Sequence, residues 1–233
     1  FLNSEKNCSI LVWLCVGLAL VLRIGYAVYS GLEPRFPDGV RIWDEILYFS
    51  KYFYLEEKTL DMPMLLAPFG LLKRFLPVTP AWVILTNCVL SSLTIPAVAR
   101  LAKQLSGKNA AGPLAGFMFA IYPFFLFYSC TLLTETIFLF YLIWAFERML
   151  KRKYTTSFAL FALAQLTRPT VIYFMPVAIV YMIWMEWGEV RFKDLDIGPR
   201  LFRLGGKAAM LLVLFILILS PWMARNYGVH GVA

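Results

Sequence analysis

Arg41-Ile42-Trp43-Asp44-Glu45-Ile46-Leu47-Tyr48 is a polar stretch that follows the first long apolar run of the chain. Wound as an α-helix, residues 41–53 divide into a polar side and an apolar side at the i, i+3 and i+4 spacing. The polar side carries Arg41, Asp44, Glu45, Tyr48 and Lys51, and the apolar side carries Ile42, Ile46, Phe49 and Phe53. The pattern predicts an amphipathic helix that lies in a membrane interface with its apolar face in lipid.

The adjacent carboxylates of Asp44 and Glu45 have two interpretations. On a short, rigid helix at a membrane surface they can serve as a general base once an acceptor group is brought to them. Alternatively, they belong to a solvated face on which Arg41 and Glu45 form an i, i+4 ion pair worth roughly 0.3 kcal/mol. The rest of the chain favours the first interpretation.

The composition indicates a polytopic membrane protein. Hydrophobic residues make up 61% of the chain and charged residues only 15%, and the mean hydropathy is +0.71, whereas soluble domains are about half apolar and a quarter charged. The net charge is +8. Because the basic residues lie between the apolar runs, orientation in the bilayer accounts for them, and nucleic-acid binding is not expected.

Cysteine and histidine usage argues against a metal or redox framework. Cys8, Cys15, Cys88 and Cys130 show no CxxC spacing and are interpreted as small packing residues. His230 is the single histidine and lies at the end of the chain. A histidine metal site or a Ser-His-Asp arrangement is therefore excluded from this chain.

The apolar runs predict an all-α membrane domain of about seven spans, with residues 1–233 as a single module. Residues 31–79 form a polar and aromatic first external segment, in which the apolar run 62–76 is short and proline-containing, and is interpreted as re-entrant or interfacial. The sequence Thr167-Arg168-Pro169-Thr170 predicts a bend between two short helices. The predicted spans are 8–29, 81–101, 110–128, 132–150, two short helices within 157–187, and 208–223.

Three local features of the chain carry further predictions: a charge within the first span, a pattern of small residues and a polar connection. Arg23, near the outer end of the first span, is expected either to extend its side chain to the interface or to face a polar cavity. The pattern Gly112-Pro-Leu-Ala-Gly116 predicts a close helix contact. Residues 186–207, including Gly205-Gly206-Lys207, are predicted to be a polar loop.

The positive-inside rule predicts one topology. Basic residues follow the predicted spans that end near positions 101 and 150, and others lie in 186–207, so these three connections are expected to be cytoplasmic. The opposite, external side then carries the polar residues Asp44, Glu45, Glu135, Arg168 and Arg225. Charged side chains at membrane depth cost free energy, so several of them at the same depth suggest a functional site.

The residue types in this group suit a reaction in which an acceptor group is deprotonated while a phosphate departs as the leaving group. Carboxylates can accept a proton, and the planar arginine fork matches phosphate and keeps its charge when partly buried. The alternatives are a carboxylate at an exposed helix N-terminus for Glu135, and interfacial anchoring near Trp222 and Tyr227 for Arg168 and Arg225.

Four segments carry a resemblance to a known family. The chain resembles the amino-terminal part of the GT-C superfamily of integral-membrane glycosyltransferases, especially the branch with protein O-mannosyltransferases and the lipid A aminoarabinose transferase. The order and spacing of the segments match over nearly the whole chain. They are DEILY (44–48), LLTETIFLFYLIWA (132–145), ALAQLTRPTVIYFMPV (162–177) and SPWMARNY (220–227).

The resemblance implies a role for each candidate residue. Asp44 matches the proposed catalytic base of the superfamily, with Glu45 orienting it or taking its place. Arg168 and Arg225 match basic residues that hold the phosphate of a polyprenyl-phosphate sugar. Trp43, Tyr48, Arg41 and Glu135 are further candidates for substrate binding. A carboxylate pair can also hold a divalent ion, so metal dependence stays open.

The implied function is inverting transfer of a sugar from a polyprenyl-phosphate carrier to a lipid, glycan or protein acceptor at the external, periplasmic face of a bacterial-type inner membrane. Family members continue into further helices, so the chain is expected to be partial or to need a second subunit, besides membrane lipids. The main alternative is a non-catalytic accessory subunit, which predicts Asp44 bonded to Arg41. A transporter is disfavoured because the chain has no inverted repeat.

Overall fold

The computed structural model describes residues 5–53, 63–187 and 197–230, and every regular element in these ranges is helical. Parts of the predicted external segment (54–62) and of the predicted loop (188–196) lie outside the described residues. The prediction of an all-α protein is confirmed. The helices are α1 (Glu5–Ser30), α2 (Pro37–Tyr52), α3 (Pro63–Phe75), α4 (Pro80–Ser106), α5 (Ala111–Ile121), α6 (Pro123–Ser129), α7 (Glu135–Leu150), α8 (Tyr154–Gln165), a 3-10 turn (Val171–Phe174), α9 (Met175–Trp187) and α10 (Ile197–His230).

Seven full spans are not found in the described part of the chain. Three helical segments are long and apolar enough to cross a membrane, namely Glu5–Ser30, Pro80–Ser106 and Leu201–Val229, and the bent pair α5 and α6 would make a fourth. Helices α7, α8 and α9 have 16, 12 and 13 residues. At 1.5 Å per residue they extend about 24, 18 and 20 Å, less than the ~30 Å hydrocarbon core.

Helices α1, α4 and α5 pack closely through small residues. A Cβ atom added at Gly112 would lie 3.0 Å from the carbonyl oxygen of Ala99, and one at Gly116 would lie 3.1 Å from Cγ2 of Ile95. Both neighbours belong to α4. The close helix contact predicted from the Gly112–Gly116 pattern is therefore confirmed.

Arg23 is completely buried, so the expectation that its side chain extends to the interface was wrong, and the guanidinium instead faces inward toward polar groups. Its Nε donates to Oγ of Ser91 at 2.9 Å, and Nη1 and Nη2 donate to the carbonyl oxygens of Ala120 and Phe119 at 3.1 and 3.3 Å. These carbonyls lie in the last turn of α5, where the chain bends by 58° into α6. Arg23 thus supplies donors that the broken helix lacks.

The apolar side of α2 packs against protein, which corrects the prediction that this side lies in lipid. Ile42 and Ile46 are fully buried in a core cluster that also contains Leu65 and Leu66 of α3. The helix ends at Tyr52, and Phe53 follows in a left-handed conformation (φ 58°) with 58% of its surface exposed. Phe53 therefore does not belong to the buried side.

The carboxyl-terminal half forms a second core between α7, α8, α9 and α10. The predicted bend is confirmed, because α8 ends at Gln165 and regular structure resumes at Val171. The loop prediction for 186–207 was wrong in its last part, since α10 begins at Ile197 and contains Gly205, Gly206 and Lys207. Apolar residues that follow Lys207 continue the same helix across the core.

Candidate active site

Asp44 and Glu45 occupy different environments on α2. Asp44 is exposed and has no hydrogen-bond or ion-pair partner among the described residues. Glu45 is 7% exposed, and its Oε1 lies 3.3 Å from Nη1 of Arg41. Arg41 also lies 3.8 Å from Oδ1 of Asp38. The expected i, i+4 pair of Arg41 is present, but the placement of Glu45 with Asp44 on one exposed side was wrong.

Helix α2 is held against the turn that precedes α7. A Cβ atom at Gly39 would lie 3.0 Å from the carbonyl oxygen of Leu132, so the two backbones are close. Leu132 is buried in the same core cluster as Ile42 and Ile46. Because Glu135 follows Leu132 by three residues, α2 and the start of α7 belong to one end of the molecule.

Aromatic side chains flank the carboxylates of α2. Trp43 is half-buried, and Nζ of Lys73 lies 5.3 Å from the centre of its ring. Tyr48 is also half-buried and packs against Tyr52, with ring centres 4.7 Å apart and the ring planes tilted by 44°. Both rings therefore lie on α2 beside the carboxylates with part of their surface exposed.

Glu135 and Arg168 form an ion pair between the start of α7 and the bend after α8. Nη2 of Arg168 lies 2.5 Å from Oε1 of Glu135, and Nε donates to Oγ1 of Thr134 at 3.4 Å. The Arg168 side chain stays 43% exposed and that of Glu135 26% exposed. The pair fixes the guanidinium while leaving part of it accessible, and the position of Glu135 in the first turn of α7 also favours a carboxylate.

Arg225 lies on α10 beside Trp222. Its guanidinium is 4.9 Å from the centre of the Trp222 ring, and Nη1 donates to Oδ1 of Asn226 at 2.9 Å. Trp222 packs against the core cluster that contains Ile42 and Ile46. Arg225 is therefore at the same end of the molecule as α2, with partners different from those of Arg168.

Asn87 is a supporting residue that the sequence argument did not single out. It is fully buried in α4, and its Nδ2 donates to the carbonyl oxygens of Thr131 and Leu133 at 3.0 and 3.2 Å. These bonds hold the turn immediately before Glu135. A lone asparagine within an apolar run, as in Leu85-Thr-Asn87-Cys-Val-Leu90, was the available signal.

Metal binding receives no structural support at this end of the molecule. Within the described ranges, no three or more His, Cys, Asp or Glu side chains form a group that could hold a metal ion. All four cysteines are buried thiols. Among the described residues, the carboxylates of α2 therefore have no further protein ligands near them for a divalent ion.

The comparison with known proteins identifies the family. A family model described as dolichyl-phosphate-mannose-protein mannosyltransferase matches residues 71–224. The chain belongs to this family. It is a GT-C membrane glycosyltransferase that uses a polyprenyl-phosphate sugar as its donor. No curated protein and no solved structure matches the chain.

The matched range divides the candidate residues of this mannosyltransferase-family protein. Glu135 and Arg168 lie within it, whereas Arg225 lies one residue beyond it. Asp44 and Glu45 precede it, so the roles suggested for these two carboxylates depend on the resemblance of DEILY and on their environments in the structure.

Proposed function

We propose that this protein transfers a sugar from a polyprenyl phosphate to a hydroxyl or amine of a lipid, glycan or protein acceptor by a single inverting displacement. The acceptor atom forms a bond to the anomeric carbon while the bond from that carbon to the phosphate oxygen breaks. The electron pair leaves with the polyprenyl phosphate, and the acceptor proton goes to Asp44. The reaction is proposed for the external, periplasmic face of a plasma membrane.

The environment of Asp44 is the main support for its role as general base. A general base needs a free lone pair within reach of the proton it accepts, and Asp44 is exposed and without a partner among the described residues. Glu45 is buried and paired with Arg41, so its lone pairs are less available. Glu45 is better suited to fixing Arg41 and the orientation of α2.

Arg168 is the proposed main ligand of the leaving phosphate. Its fork is oriented by Glu135 and Thr134 and stays partly exposed, so it can meet developing negative charge without reorganising. Glu135 itself is proposed to act on the donor through its hold on Arg168. Arg225 is proposed as the second phosphate ligand.

The accessory-subunit hypothesis is not favoured by the geometry of α2. It predicted that Arg41 would bond to Asp44, whereas Arg41 pairs with Glu45 and Asp38. Membership of a transferase family also argues for catalysis.

The test is donor turnover by the purified chain in lipid nanodiscs. A short-chain polyprenyl-phosphate mannose is the first donor, because mannose is the sugar that the family description names. Release of polyprenyl phosphate is followed with hydroxyl and amine acceptors. We expect Asp44→Asn to lower turnover about 10²- to 10⁴-fold, while Asp38→Asn, an exposed carboxylate on the same helix, stays within about twofold of the wild type.

Two outcomes would contradict the proposal. Retained turnover in folded Asp44→Asn would remove this residue as the base. Absence of both turnover and photo-crosslinking of the donor in the wild-type chain would argue against a donor site at this end of the molecule. Arg168→Lys keeps the charge and loses the fork, so it should reduce donor crosslinking if the guanidinium binds the phosphate.

A further inference from the structure

A groove of about 620 Å³ lies at the end of the molecule opposite the candidate active site. Helix α7 defines the two ends, because Glu135 at its start and Glu147 near its close are separated by about 18 Å at 1.5 Å per residue. The groove runs between the first turns of α1, the last turns of α4 and the start of α5. Its lining includes Glu5, Lys6, Arg100, Lys103 and Lys151.

The charge of this groove is strongly positive. Four basic side chains line it against one acid, Glu5, which is paired with Lys103. The side chains of Arg100, Lys103 and Lys151 are 39, 39 and 33% exposed. They therefore have surface available for an anion.

A buried carboxylate orients the basic groups. Glu147 has no exposed surface, and its Oε1 lies 2.9 Å from Nε of Arg100 and 2.6 Å from Nζ of Lys151. Its Oε2 lies 3.3 Å from Nε of Arg148. One negative charge thus faces three positive charges, and the net positive charge attracts anions to the groove.

Arg100 is also held in place by an aromatic ring. Its guanidinium lies 4.8 Å from the centre of the Trp144 ring, and its Nη2 is buried without a hydrogen-bond partner among the described residues. The ring fixes the guanidinium while the Arg100 side chain stays 39% exposed, so the exposed part can meet an oxyanion.

The remainder of the groove wall is apolar. Val12, Trp13, Pro96, Ala99 and Pro113 line it along the helix axes, and 58% of the surface of Trp13 is exposed. Both α1 and α4 are candidate membrane spans, so this wall continues from the charged end toward the hydrocarbon region. A free phosphate would leave the apolar wall uncovered, whereas a lipid would cover it with an acyl chain.

We propose that the groove binds an anionic phospholipid of the leaflet opposite the candidate active site. Its phosphate contacts Arg100, Lys103 and Lys151, and one acyl chain lies along Val12 and Ala99. The orientation rule for basic loops explains an excess of positive charge on one side of a membrane. It does not explain why cations from α4 and the end of α7 converge on a groove with an apolar wall.

The binding test uses the full chain in detergent micelles with dioleoyl phosphatidylglycerol or dioleoyl phosphatidylcholine, and bound lipids are counted by native mass spectrometry. We expect phosphatidylglycerol to bind more tightly. Lys103→Gln should weaken it about fivefold. Lys108→Gln makes the same charge change nearby on an exposed residue that does not line the groove, and should leave binding unchanged.

A second variant separates shape from charge. Ser9 is an exposed residue of the groove lining, so Ser9→Trp fills the groove without altering its charge and should displace the lipid. A phosphatidylglycerol with a diazirine in its acyl chain should label the groove wall in the wild-type chain.

Several results would overturn the proposal. Equal binding of the two lipids would exclude recognition of the anionic headgroup. Equal weakening by Lys103→Gln and Lys108→Gln would indicate diffuse attraction to a basic surface. Labelling confined to other helices would exclude a lipid as the occupant.

Discussion

Replacement of Arg23 by methionine tests whether this buried side chain stabilises the break between α5 and α6. Methionine keeps an unbranched, flexible stem but is shorter than arginine and has no hydrogen-bond donor. In the wild type, Arg23 donates to the carbonyl oxygens of Phe119 and Ala120 at the end of α5. In a continuous helix the carbonyl of Phe119 would accept from the N–H of residue 123, but this residue is Pro123, which has no N–H.

The structure gives the expected magnitude. Loss of Arg23 leaves two buried carbonyl groups without a donor, at about 1–3 kcal/mol each. The Ser91 hydroxyl can instead hydrogen-bond to a backbone carbonyl of its own helix, so the loss of its bond from Nε of Arg23 adds little to the cost. Relief from burying a guanidinium offsets part of the cost. We expect the free energy of unfolding to fall by about 3 kcal/mol.

The assay is reversible unfolding in mixed micelles by titration with sodium dodecyl sulfate, followed by tryptophan fluorescence. Arg203→Met is the matched control, because Arg203 is exposed on α10, and its effect should stay within about 0.5 kcal/mol. If Arg23→Met were as stable as this control, the carbonyls at the break would have to be satisfied by other groups, and the argument would be refuted.

A double-mutant cycle with Pro123→Ala sharpens the test. Alanine restores an N–H at position 123, which can reach the carbonyl of Phe119 only if α5 and α6 straighten. In the Arg23→Met background this new donor has an unpaired acceptor, whereas in the wild type the acceptor is already occupied. We expect a coupling of about 1 kcal/mol between the two substitutions, and strict additivity would contradict the proposed role of the bend.

Three further predictions concern other parts of the molecule. Glu147→Gln should lower the free energy of unfolding by about 3 kcal/mol, because three cations lose their buried counter-charge. Gly112→Ala should lower the free energy of unfolding by about 1–3 kcal/mol, because its Cβ would lie 3.0 Å from the Ala99 carbonyl oxygen. Its control is Gly17→Ala, where the added Cβ meets nothing within 4 Å, and this change should be neutral or stabilising by up to about 1 kcal/mol. Glu135→Gln should change stability by less than about 1 kcal/mol, because its ion pair is partly exposed, and should raise the KM for the donor about fivefold as its arginine partner loses orientation.

Unfolding titrations check the first two of these predictions, and donor kinetics with the Glu135 variant check the third. Equal effects of the two glycine substitutions would argue against close packing at Gly112. A destabilisation of several kcal/mol by Glu135→Gln, without any change in KM, would assign this carboxylate a structural role.

The candidate site was only partly predictable from the sequence. The segments around Glu135 and Arg168 indicated the family. They also predicted that the two residues lie at the same depth in the membrane, because the first turn of α7 lies beside the last turn of α8, where the proline bend ends that helix. The same pattern placed Glu45 beside Asp44 on a polar helix side. Helical periodicity assigns a direction to each side chain but does not reveal which directions another element covers, so the burial of Glu45 could not be foreseen.

The apolar runs and the distribution of charge determined, without any structure, that this chain is helical and belongs in a membrane. These properties follow from local composition, since about 20 apolar residues and their flanking charges suffice to specify a span. Tertiary structure alone decided which carboxylate of α2 is free and what Arg23 does. The partners of Arg23 in α5 are 96 and 97 residues away, and the packing of α1 against α5 and α4 brings them within hydrogen-bond distance.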